Sequence, residues 1–187
     1  HNHYVSITIL PEMGGRSLNW YHTWHGWLGF FAPTLTDGYT GIYDHKREQG
    51  IVRTFNPAQV PGHKIFGPAT LDPGLWTDGD SAYVEMWSSG VTTDFWTYQT
   101  LPAGQTRTWT EKWYPVNNMG GFDKANEYAA LRLSDTGYGA DLAVGVTAVT
   151  VGTVTLWVDG SLAASWPVTI RPGQPFKEGW ERPFGMN

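Results

Sequence analysis

Turn sequences break this chain repeatedly, and runs of strand-forming residues lie between them. Pro61-Gly62, Asp78-Gly79, Pro102-Ala-Gly104, Asp159-Gly160 and Pro172-Gly173 are the punctuation. The intervening segments are rich in Val, Ile, Thr, Tyr, Phe and Trp, the residues that fit a pleated, half-buried surface. Strands are expected over 4–10, 38–43, 50–56, 63–66, 81–87, 95–101, 105–114, 129–133, 142–149, 153–158 and 163–170. Asp159-Gly160, set between TVTLWV and SLAASWPV, is a strong two-residue hairpin signal. Helical periodicity is almost absent; the best segment, 123–131, is short. An all-β chain follows, read as a β-sandwich with a smaller sandwich-like module after it.

The 187 residues suffice for a real core. Aromatic character falls off past residue 117, where NNMGGFDKAN forms a loop and a lighter stretch richer in Ala, Val, Thr and Gly begins. The division drawn from composition is residues 1–133 for the first portion and 134–187 for the small module and a tail, with 179–187 read as an extended surface segment.

Composition also narrows the partners. A net charge of −5 and no basic stripe argue against nucleic acid. No apolar run approaches the ~20 residues of a membrane-spanning helix, and no leader pattern is visible. Without Cys there are no disulfides and no thiolate metal sites. Eleven Trp in a chain of this length exceed what a core requires, since each buried indole N–H needs an acceptor. Such richness suits carbohydrate binding as well as a Trp-heavy β core.

The chemistry-bearing candidate is Glu85. It lies within SAYVEMW, where strand alternation puts it on one face with Tyr83 and Trp87. A carboxylate among aromatics suits sugars, because aromatic faces hold pyranose rings and a buried Glu can serve as a base. An edge-strand Glu paired with Lys or Arg is the plainer alternative. Asp44 and His45 form a second pair, His being able to titrate near neutrality and Asp to orient it or bind a hydroxyl; a turn residue beside a surface His is the simpler account. Arg53, His63 and Lys64 lie on or near strands, and Arg can hold hydroxyls or a carboxylate through paired donors. Trp76, Trp87 and Trp96 are stacking candidates. The run NWYHTWHGWLGFFAP offers either a glycan platform or a lid over the core.

Several short motifs in order resemble the galactose-mutarotase-like superfamily. They are WHGWLGFFAP, YDH followed by GIVR, TDGDSAYVE, and TLPAGQTRTWTEKWYPV followed by the Gly-Gly of NNMGG. The nearest likeness is to an uncharacterised family of mutarotase-related bacterial domains found near carbohydrate-active enzymes. It covers residues 20–133 and corresponds to the later half of such a domain. The strands carrying that superfamily's sugar-binding Arg and acid His have no counterpart here. The resemblance implies a partial mutarotase-like sandwich with Glu85 as the general base that takes the anomeric hydroxyl proton, and Asp44-His45 near the cleft. It also implies a sugar or polysaccharide partner and an aldose epimerase-like or glycoside-directed reaction. A half-sandwich would expose strand edges, so a homo-oligomer or the remainder of a larger chain is expected to complete it.

Three further readings stand beside this one. A non-catalytic glycan-binding module would use the same aromatics without a base, and a structural subunit would use open strand edges. A copper-dependent polysaccharide oxidase would use His1 and His3, because a chain beginning with His resembles those enzymes and amine and imidazole nitrogens suit copper. A tag remnant or an arbitrary fragment start explains His1 more simply. Asp72, Asp78, Asp80 and Glu85 are oxygen donors of the kind calcium takes, in a spacing that fits no standard loop. No cofactor is expected under the leading reading, and an extracellular or periplasmic location is favoured.

Overall fold

A computed structural model describes residues 19–21, 28–32, 35–67, 85–87 and 100–183, with side chains described over 35–66, 85–87 and 100–183. Thirteen strands are formed and no helix occurs among the described residues, so the chain is all-β. The strands fall into two compact units. Among the described residues, unit 1 holds those within 19–38 and 55–111, and unit 2 those within 39–54 and 112–183.

In unit 1, β1 (Asn19–Tyr21), β2 (Leu28–Ala32), β5 (His63–Gly67) and β6 (Glu85–Trp87) form one antiparallel sheet in the order β1-β2-β5-β6. The first two strands arise from the aromatic run NWYHTWHGWLGFFAP, for which a platform or a lid is the expectation. Leu35, Phe55 and Val60 make a small buried cluster. It is fastened by backbone bonds from Leu35 N–H to Pro61 O (2.8 Å) and from Phe55 N–H to Gly38 O (2.8 Å).

Unit 2 contains three sheets. The hairpin of β3 (Tyr39–Asp44) and β4 (Gln49–Phe55) is extended by β7 (Glu111–Asn117) in the order β3-β4-β7. A second sheet has the order β13-β10-β9-β8, from β8 (Lys124–Ala125), β9 (Ala129–Asp135), β10 (Gly139–Val146) and β13 (Phe176–Glu181). The third is a two-stranded ribbon of β11 (Thr150–Val158) and β12 (Ser161–Ile170). β12 packs against β10 and β13, with the Trp166 and Phe176 rings 5.9 Å apart.

The loop after β7 joins the first two sheets. Met119 and Phe122 are both buried. The Met119 sulfur sits where a Cβ on Gly145 of β10 would fall, and the tip of the Phe122 ring does the same at Gly41 of β3. Two residues without side chains thus receive two large ones, and the loop becomes part of the core.

Several expectations are corrected by this structure. The short helical candidate over 123–131 is instead β8, a turn and the start of β9; β-ladder pairing overrides a weak local preference. The strand expected from 105 begins only at Glu111. The tail drawn from residue 179 begins within β13, whose pairing with β10 runs from Val144↔Phe176 to Gly139↔Glu181. The boundary drawn at 133/134 falls inside β9.

Candidate functional site

The richest described chemistry in unit 1 lies on one face of β5 and β6. Their register is Lys64↔Trp87, Ile65↔Met86 and Phe66↔Glu85. Cross-strand partners point to the same side, so Lys64, Phe66, Glu85 and Trp87 share a face. Glu85 is half-buried, and its carboxylate accepts a hydrogen bond from the Trp87 indole N–H. This is the i, i+2 relation expected of one strand face. The Phe66 ring meets the Trp87 ring edge-on at 6.0 Å and 73°. Trp87 is nevertheless 46% exposed. An exposed indole is therefore held in place from two sides, with a carboxylate at its polar edge.

His63 and Lys64 are both buried on β5 and leave the strand on opposite faces. Lys64 faces with the Glu85–Trp87 pair, while His63 projects to the other side. Phe66 was not singled out from the sequence. Only the β5–β6 register brings it to Trp87, and no local pattern encodes that pairing.

Asp44, His45 and Arg53 belong to unit 2. Asp44 ends β3, and its Oδ1 accepts hydrogen bonds from Lys46 N–H (2.9 Å) and Arg47 N–H (3.1 Å). Its Oδ2 lies 3.4 Å from the Arg47 guanidinium. The Arg47 backbone bond, then that of Lys46 and the Arg47 charge, holds this carboxyl below the usual carboxylate range, against a partial burial that pushes it up. Such side-chain-to-backbone closure is what Asp provides in turns.

His45 packs edge-on to Tyr43, with ring centroids 5.1 Å apart. The Tyr43 hydroxyl accepts from Met119 N–H and Gly120 N–H (both 3.0 Å) and donates to Glu48 Oε2 (3.0 Å). Burial pushes this phenol up and the Glu48 carboxylate adds to the rise, while the two N–H bonds oppose it. Arg53 is 1% exposed, its guanidinium 5.3 Å from the centre of the Trp113 ring. In unit 2 these residues close a turn, clamp a loop and pack a core.

Trp76, Trp96, His1 and His3 lie outside the described residues, as do Tyr83, Asp72, Asp78 and Asp80. Among the described residues no group of three or more His, Asp or Glu is placed to hold a metal ion. No described helix is long and apolar enough to cross a membrane. No family model, no curated protein and no solved structure matches this chain. The likeness to mutarotase-related domains therefore stays with the short motifs quoted above.

Proposed function

We propose that the β5–β6 face of unit 1 binds a sugar, with Trp87 stacking on the ring and Glu85 accepting its hydroxyls. The observation that carries this reading is the fixing of an exposed tryptophan. A solvent-facing indole ordinarily loses rotamer freedom on binding; Trp87 has already lost it to Phe66 and Glu85. Its ring offers a flat apolar surface to the C–H face of a pyranose. Glu85 accepts one bond from the indole and retains further lone pairs for substrate hydroxyls. Binding needs nothing more. Epimerisation would need a proton donor beside the base, and the described part of this face supplies only Lys64 for that work.

Titration calorimetry against a panel of mono- and oligosaccharides tests the proposal. Trp87→Ala should weaken binding by roughly tenfold, the scale of ~1.4 kcal/mol. Glu85→Gln, which keeps an acceptor but loses the charge, should weaken it by only about threefold. Wild-type affinity in Trp87→Ala would remove the assignment. Polarimetry separates binding from catalysis: anomer exchange by the wild type that vanishes in Glu85→Gln would make the face an epimerase site.

A further inference from the structure

The ribbon of unit 2 has two unlike faces. Val154, Leu156, Trp166, Val168 and Ile170 turn inward and are buried or half-buried. The outward set is Val151, Thr153, Thr155 and Trp157 on β11, opposite Thr169, Pro167, Ser165 and Leu162 on β12, and every one of these is exposed. The register shifts between Leu156 and Trp157. Without that bulge Trp157 would face Ala163; with it, Trp157 (59% exposed) and Leu162 (53%) stand side by side on the outer face.

Two properties limit what this face can take. From Val149 to Ile170 the only ionisable side chain is Asp159, in the turn, so a charged ligand finds no counter-charge. A row of hydroxyls, from Thr153, Thr155, Ser165 and Thr169, runs behind the Trp157–Leu162 pair. An apolar protein surface would bury those hydroxyls without partners, at a cost for each. A neutral sugar chain offers hydroxyls to pair with them and C–H faces for the indole.

Trp157 is also fixed. Its indole N–H donates to Thr155 Oγ1 at 3.3 Å. The same device recurs at Trp87 with Glu85 and at Trp109 with Glu111 Oε1 (2.9 Å). In each case an exposed indole is tied to an oxygen two residues away.

We propose that the outer face of the β11–β12 ribbon is a second carbohydrate surface, and that it takes a neutral polysaccharide chain lying along the strands. Alternate side chains on a strand are spaced about 7 Å apart, so Val151 to Trp157 spans about 20 Å. That length fits several consecutive sugar units rather than one. The inference shares the sugar-binding reading given above but uses none of the same side chains.

Native gel electrophoresis of the whole chain through hydroxyethylcellulose, xyloglucan or galactomannan tests it. The wild type should be retarded in at least one gel, and Trp157→Ala should raise the apparent Kd roughly tenfold. Thr155→Val, which removes the oxygen that fixes the indole, should raise it about threefold. Neither exposed change should alter the melting temperature by more than a degree or two, which keeps loss of binding distinct from loss of fold. In a Trp87→Ala background some retardation should remain and should vanish when Trp157→Ala is added. Retardation abolished by Trp87→Ala alone, or unaffected by Trp157→Ala, would overturn the ribbon site while leaving the β5–β6 face standing. Light scattering that shows an assembly dissolved by Trp157→Ala, with no retardation in any gel, would overturn it in favour of contact between copies.

Discussion

Tyr114 shows what one hydroxyl does in unit 2. It is buried on β7, and its O–H is shared between Asn126 O and Ala129 O, each at 2.8 Å. Those two carbonyls flank the turn between β8 and β9, where Asn126 Oδ1 also accepts from Tyr128 N–H and Ala129 N–H. Burial pushes the phenol up to about 12. An unfolded tyrosine ionises near pH 10, so the folded state holds its proton more tightly than the unfolded one. The resulting stabilisation is complete below about pH 10 and drains away as pH rises to about 12. Tyr114→Phe should cost about 1 kcal/mol at neutral pH. Its melting temperature should also fall less steeply than that of the wild type between pH 10 and 12. Parallel alkaline profiles for the two proteins would show that this hydroxyl carries no such linkage.

At the scale of elements, two of the hairpins of unit 2, β11–β12 and β3–β4, were visible in the sequence for different reasons. Asp159 and Gly160 both take positive φ, 50° and 77°, as a two-residue turn matching the strand twist requires. Asp tolerates that region and Gly enters it without strain. Gly160→Ala should therefore destabilise the chain by about 1 kcal/mol, measured as a lower urea midpoint with an unchanged slope. A neutral substitution would mean the turn relaxes to another type. The β3–β4 hairpin instead uses a longer loop with Glu48 at φ 52° and Asp44 closing it. There the dipeptide Asp44-His45 invited a chemical reading, although its carboxylate serves the loop. Strands β1, β2 and β13 were missed because short aromatic or charged runs declare no period; their partners make them strands.

At the scale of the molecule, chain order and packing order part company. The β3–β4 hairpin belongs with residues past Lys112 and not with its sequence neighbours. Asn118 N–H bonds to Glu48 O at 2.7 Å, and the Tyr39 hydroxyl bonds to Asp123 O at 2.6 Å. Both contacts join the hairpin to the loop that carries Met119 and Phe122. A fragment of residues 134–187 would keep β10 to β13 but lose all of β9 except Ser134 and Asp135, and with it most of the pairing along β10. Such a fragment should fail to fold, giving a narrow amide proton spectrum. Well-dispersed amides from it would show that the composition boundary is a folding boundary after all.

The sequence by itself determined that this is a β protein, where its sharpest turn falls, and that Glu85 and Trp87 share a strand face. These features are local: they depend on turn chemistry, on side-chain shape and on a period of two. Tertiary structure alone decided that Phe66 steadies Trp87, that Arg53 is buried over Trp113, and that glycines at 41 and 145 seat Phe122 and Met119. It also decided that a bulge sets Trp157 beside Leu162. Each of these depends on register or on contact between segments far apart in the chain. A shift of one residue would turn every side chain to the other face, and the energy that selects the register is that of the packed whole.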